Sequence, residues 1–163
     1  MSSHIRAAAL AGSAEDVVGA GPERLHQTPL AAEIEFLTVR AAAIGSSRAN
    51  AVLAPLQLKV RSYSVLSLAC SGKNPSQREL AEILSLDPSQ IVALVDQLEA
   101  FGAVTREPDP RDRRSKVIVE TAKGRKLYKK AEAAVRAAED RSLSALNLQE
   151  RELLRTLLTR IAF

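Results

Sequence analysis

Between Asp87 and Phe101 the apolar residues Ile91, Leu94, Val95 and Leu98 recur at i, i+3, i+4 and i+7, a stripe that predicts a helix with one buried face. The outer face carries Ser89, Gln90, Ala93 and Gln97, small or uncharged polar residues that can approach base edges with no charge to desolvate. Asp87-Pro88-Ser89-Gln90 predicts the start, with Asp87 as cap, proline in the first turn and Gln90 closing a capping box. Phe101-Gly102 predicts the end, because glycine tolerates the left-handed conformation that closes a helix. Upstream, the capping box Ser76-Gln77-Arg78-Glu79 opens another helix, and Leu84-Ser85-Leu86 leaves room only for a tight connection, the spacing of a helix-turn-helix. Downstream, Val104-Thr105-Arg106 and the β-branched run Lys116 to Glu120 read as paired strands. The intervening Pro108 to Ser115, with two prolines, three aspartic or hydroxyl turn formers and Arg111, Arg113 and Arg114, reads as a hairpin tip bearing three arginines. Helix-turn-helix plus hairpin makes a winged helix.

The flanks are helical too. Thr28-Pro29 predicts a cap and first-turn proline for a long helix through Ile34, Leu37, Ala41 and Ile44 to about Leu53, with Gly45-Ser46 as a possible kink and Pro55 at its exit. Val60 to Ser71 supplies a further helix, with Tyr63, Leu66 and Cys70 on one side and Gly72 as its stop. Thr121 is placed to cap an alanine-rich helix from Ala122 to about Leu146. Asn147-Leu148-Gln149-Glu150 introduces a last helix carrying Leu153, Leu154, Leu157, Leu158 and Ile161. A small winged lobe leaves the terminal helices little to cover, so their apolar faces point to burial between two subunits. Residues 1–28, rich in Ala, Gly and Ser and broken by Gly19, Gly21 and Pro22, read as a mobile arm or one short added helix. The expected class is therefore mainly α with a small β-wing, a winged helix-turn-helix whose terminal helices form a dimerisation body. Its divisions are 29–55 and 122–163 for dimerisation and 56–121 for the winged lobe.

Composition adds direction. A chain of 163 residues with 46% hydrophobic content suffices for one domain with a real core. Net charge is only +4, but between Arg106 and Lys130 ten cations (Arg106, Arg111, Arg113, Arg114, Lys116, Lys123, Arg125, Lys126, Lys129, Lys130) face few acids, a local field suited to phosphate. No apolar run reaches membrane-span length and no signal peptide opens the chain, which predicts a cytoplasmic, nucleoid-associated protein without a membrane partner. His4 and His26 stand alone, so no metal site is expected, no cofactor is called for, and no catalytic constellation exists; an enzyme is not expected. Cys70 is the single cysteine, which excludes an intrachain disulfide.

These residues resemble the MarR (multiple-antibiotic-resistance regulator) family of bacterial transcription factors. The resemblance rests on Gln77-Arg78-Glu79-Leu80-Ala81, on Asp87-Pro88-Ser89 with Leu94-Val95-Asp96 and Leu98-Glu99, on Asp109-Pro110-Arg111-Asp112-Arg113-Arg114, and on Thr121-Ala122-Lys123-Gly124. It covers roughly Pro29 to the C-terminus and implies a homodimeric winged-helix repressor, often released from DNA by a small aromatic ligand or by oxidation. On that reading the Asp87-to-Phe101 helix enters the major groove of a pseudo-palindromic operator. Ser89 and Gln90 then lie nearest the bases and Ala93 near a thymine methyl. Gln77 anchors a phosphate, and Arg113 with Arg111 or Arg114 enters the adjacent minor groove, one of them steadied by Asp112. Gln90 cannot both close a capping box and read a base. Val92, Ala93 and Gln97 depart from the family pattern, in which a hydroxyl residue and arginines are common, and this implies greater reliance on the wing or an operator with unusual preferences. Phe36, Arg40 and Tyr63 would border the cleft where relatives bind phenolic acids, although packing explains Phe36 and Tyr63 equally. Family members that sense peroxide carry their cysteine near the start of the first long helix, whereas Cys70 falls near the end of the next, which suits a structural thiol. A second reading keeps the winged-helix dimer but makes it a protein-interaction module with weak or absent DNA binding.

Overall fold

The computed structural model describes residues 22–112 and 114–163. Most of the amino-terminal arm, residues 1–21, and Arg113 therefore lie outside the described residues. Two compact units divide at Ala41/Ala42.

In the first unit, Pro22–Gln27 and Pro29–Ala32 are short 3-10 turns, followed by the opening of α1 (Ile34–Leu53). Thr28 does not cap a long helix. Its hydroxyl donates to the Leu25 carbonyl (2.8 Å) and Glu33 is extended (φ −74, ψ 127), so α1 begins only at Ile34.

In the second unit, α1 runs through Gly45-Ser46 without a break. A 3-10 turn at Ala54–Leu56 then leads to α2 (Val60–Ala69), whose first amide is capped by Asn50 Oδ1 (2.9 Å). The helix pair follows as α3 (Gln77–Leu84) and α4 (Pro88–Ala100). Ser85, left-handed at φ 51, turns the chain between them. Gly102 (φ 74) closes α4 as its sequence requires. The wing is an antiparallel pair, β1 (Val104–Pro108) and β2 (Lys116–Glu120), in register from Val104 opposite Glu120 to Pro108 opposite Lys116. A bridge between Ser76 and Val117, with Ile118 N–H donating to Pro75 O (2.8 Å), fastens the entry to α3 along the free edge of β2. The Asn74-Pro75-Ser76 segment has no alternating pattern, so the sequence gives no hint of this third edge.

Thr121 caps α5 (Ala122–Ser142), its Oγ1 accepting from Gly124 N–H (3.0 Å) and donating to Gly102 O (2.7 Å). Gly124 lets α5 lie directly on the end of α4. A Cβ there would stand 1.8 Å from the Ala103 carbonyl oxygen, inside any allowed contact. α5 stops at Ser142 rather than near Leu146: Leu143 leaves helical geometry (φ −99, ψ 18), and the carbonyls of Leu143 and Leu146 both accept from Arg151 Nε (3.1 Å each). The Asn147–Glu150 box then starts α6 (Leu148–Ala162).

One core organises the winged lobe. Leu80 of α3 and Ile91, Val95 and Leu98 of α4 are sealed with Val65 and Leu66 of α2, Val104 and Ile118 of the wing and Ala131 of α5. At about 25 cal/mol per Å² of apolar surface removed from water, these side chains supply the main force fixing α4 relative to the hairpin. α6 buries none of its residues.

Candidate nucleic-acid interface

The buried stripe of α4 determines its exposed side. With Ile91, Val95 and Leu98 inward, Ser89, Gln90, Ala93 and Gln97 are all exposed. Asp87 has the extended backbone of a cap, but its side chain makes no capping hydrogen bond and the expected box with Gln90 does not form. Pro88 has no N–H to satisfy, and the Gln90 amide N–H already takes the Asp87 carbonyl (2.9 Å), which leaves the box little to add. Among the described residues nothing holds the Gln90 side chain in a cap.

The arginines of the wing are unequal. Asp109 is buried at the hairpin root and grips Arg111 at three points: its Oδ1 accepts from the Arg111 amide (2.8 Å) and Nε (3.1 Å), and its Oδ2 from Nη2 (3.0 Å). These bonds, the side-chain one first, hold the Asp109 carboxyl below its ordinary range. Glu79 Oε2 lies 3.9 Å from the same guanidinium. Among the described arginines of the wing, Arg111 is thus steadied by Asp109 and not by Asp112. Asp112 instead shapes the turn, accepting from the Arg114 amide (3.0 Å) and Ser115 Oγ (3.3 Å), because its carboxylate is folded back on its own backbone. Arg114 is exposed. Ser76, Gln77, Glu79, Asp109, Arg111 and Lys116 line a shallow groove between the start of α3 and the hairpin.

Arg106 is withdrawn from the basic field altogether. Its side chain, 17% exposed, donates to Asp96 Oδ1 (2.5 Å), to Glu99 Oε2, and through Nε to Gln77 Oε1 (3.0 Å). Its amide also donates to Glu99 Oε1 (3.2 Å). Arg125 pairs with Glu120, and Lys123 bonds the Phe101 carbonyl with its ammonium 4.2 Å from that ring's centre. The described cations left facing solvent between Arg106 and Lys130 thus centre on Arg114, Lys116, Lys126, Lys129 and Lys130. The Arg106 cluster was not among the contacts expected from the sequence. Its one available signal is that Asp96 and Glu99, one turn apart, precede an arginine in the next element.

Of the effector candidates, Phe36 is half-buried and Arg40 exposed in the first unit. Tyr63 belongs to the second, where its ring stacks on Tyr128 (centroids 6.1 Å, planes 20° apart) and burial raises its hydroxyl pKa. Cys70 is half-buried, and burial, followed by the charge of Glu120, pushes its thiol up to about 11. Among the described residues no cluster of metal-binding side chains occurs, and no helix is long and apolar enough to cross a membrane.

A paired helix motif with a two-stranded hairpin on a shared core defines a winged helix-turn-helix. The MarR family model matches residues 58–116, from the turn before α2 to the start of β2. The transcriptional repressor Rv2887 of Mycobacterium tuberculosis is 35% identical over 127 residues, 77% of this chain and 91% of its own. The chain therefore belongs to the MarR family, whose members are transcriptional regulators. CouR from Rhodococcus jostii RHA1, solved with p-coumaroyl-CoA, is 43% identical and superimposes with a TM-score of 0.77 over 84% of this chain and 96% of its own. Rv2887 in complex with DNA is 30% identical, with a TM-score of 0.66 over 80% of this chain and 98% of its own. It has also been solved with salicylic acid and with p-aminosalicylic acid.

Proposed function

We propose that this protein is a homodimeric, sequence-specific repressor that grips a pseudo-palindromic operator and releases it on binding a small aromatic acid or its thioester. The observation that carries the reading is the shared core of α3, α4 and the hairpin. It fixes α4 with Ser89, Gln90 and Ala93 outward and the wing beside it. Gln90, unused as a cap, is the candidate base reader, since its amide can donate to and accept from adenine together. Ser89 approaches a neighbouring base and Ala93 a thymine methyl. Gln77 anchors a phosphate, while Arg114 and Arg113 serve the minor groove with Arg111 as a braced neighbour. The exposed apolar residues of α1 and α6 form the dimer, so that 29–55 and 122–163 act as dimerisation segments and 56–121 as the DNA-binding lobe. The DNA and aromatic-ligand complexes of Rv2887 and the thioester complex of CouR support this assignment. Phe36, Arg40 and Tyr63 are the effector candidates, and no cofactor or metal is needed. The site of action is the cytoplasm.

An electrophoretic shift of the promoter beside its own gene, repeated across salt, tests the proposal. Specific retardation that weakens steeply with salt is expected, relieved by a hydroxycinnamoyl thioester or salicylate. Arg113→Ala and Arg114→Ala should each weaken it. Binding with no sequence preference would instead favour a protein-interaction module.

A further inference from the structure

We infer that Arg106 is a positioning residue that makes an acidic recognition helix usable on DNA, by halving the negative charge of Asp96 and Glu99 and fixing the amide of Gln77. This rests on the reading that α4 enters the major groove. From Pro88 to Ala100 the helix contains no lysine or arginine, and its only charges are Asp96 and Glu99. Ser89, Ala93 and Asp96 follow one another at i, i+4 and i+7, so the Asp96 carboxylate, 59% exposed, stands in line with the residues turned toward bases. A free carboxylate there would confront the phosphate backbones that border the groove. Arg106 reaches both acids from β1 and leaves the cluster at a formal charge of −1, from −2 and +1, where its removal would leave −2.

The same guanidinium settles the orientation of Gln77. Arginine can only donate, so the atom 3.0 Å from its Nε must be the amide oxygen, and the Gln77 NH₂ is left free to donate to a phosphate. Arg106 thus acts at a distance from DNA in two ways. It removes a repulsion from α4 and aims a donor from α3.

The test compares affinities for the operator defined by the wild-type shift, at two salt concentrations, with thermal melting of every variant. Arg106→Met should weaken binding by about tenfold or more, and more severely at low salt, as expected for unmasked negative charge. Adding Asp96→Asn and Glu99→Gln to that variant should recover most of the loss, which repair of a merely structural contact would not do. Arg106→Lys, retaining charge without the three-way fork, should fall between. Asp96→Asn/Glu99→Gln with Arg106 intact should bind more tightly than wild type, a measurement that stands even if Arg106→Met does not fold. Wild-type affinity in folded Arg106→Met, no recovery in the triple variant, or unchanged or weaker binding by the double variant would each overturn the inference. Absence of any specific shift by the wild type would instead overturn the DNA-binding reading on which it depends.

Discussion

Cys70 is set apart from a sensing thiol by its surroundings more than by its position in the chain. Burial and the nearby Glu120 carboxylate move its pKa from an ordinary 9.0 to about 11, which lowers the thiolate fraction at neutral pH by about a hundredfold. Alkylation of the native protein at pH 8 should accordingly be about a hundredfold slower than that of a free cysteine, and operator binding should survive mild peroxide; ordinary reactivity would refute this. The arginines carry the same lesson. Arg106, Arg111 and Arg114 are equivalent letters in the sequence. Their partners make one a brace between elements, one a strut of the hairpin, and one a solvent-facing cation. Counting charges in the chain therefore overstates the cations offered to phosphate.

At the level of elements, caps were the most legible feature, because they depend on residues only three or four positions apart. The boxes at Ser76 and Asn147 and the Thr121 cap all form with good geometry. Those at Asp87 and Thr28 do not, since the Gln90 amide already bonds the Asp87 carbonyl and the Leu25 carbonyl claims the Thr28 hydroxyl. Ser76→Ala should therefore cost about 1 kcal/mol in urea unfolding, and Asp87→Ala only a few tenths. The Glu79 carboxyl is held below its ordinary 4.5, first by the Ser76 amide and then by its hydroxyl. A lowered folded-state pKa contributes stability that is complete above the unfolded value and lost as pH falls through the folded one. Cap stability should fade below about pH 4.5, and Glu79→Gln should flatten that part of the pH profile. An unaltered profile would mean that the acid sensitivity lies elsewhere, as at Asp109.

On the scale of the whole molecule, α6 is an amphipathic helix without a core of its own. Leu153, Leu157 and Ile161 are 59%, 46% and 73% exposed, a leucine-rich face that a lone chain leaves in water. Burying each such side chain against a second copy gains about 1.5–3 kcal/mol. Light scattering should find the protein at twice 17.6 kDa, and Leu157→Asp should yield a folded monomer that no longer shifts the operator. A Leu157→Asp protein that remained dimeric would remove α6 from the interface. The helices, their order, the wing and the apolar stripe of α4 were all readable in the chain, because periodicity and turn chemistry act over a few residues. Whether a polar group is free to meet a ligand was not, because its partner can come from far along the chain. Arg106 meets Gln77 across 29 residues, Pro75 pairs beside Ile118, and Gly124 is required by the carbonyl of Ala103. Only burial of the common core brings those groups within hydrogen-bonding distance, and it is that packing which decided which polar side chains remain available to DNA.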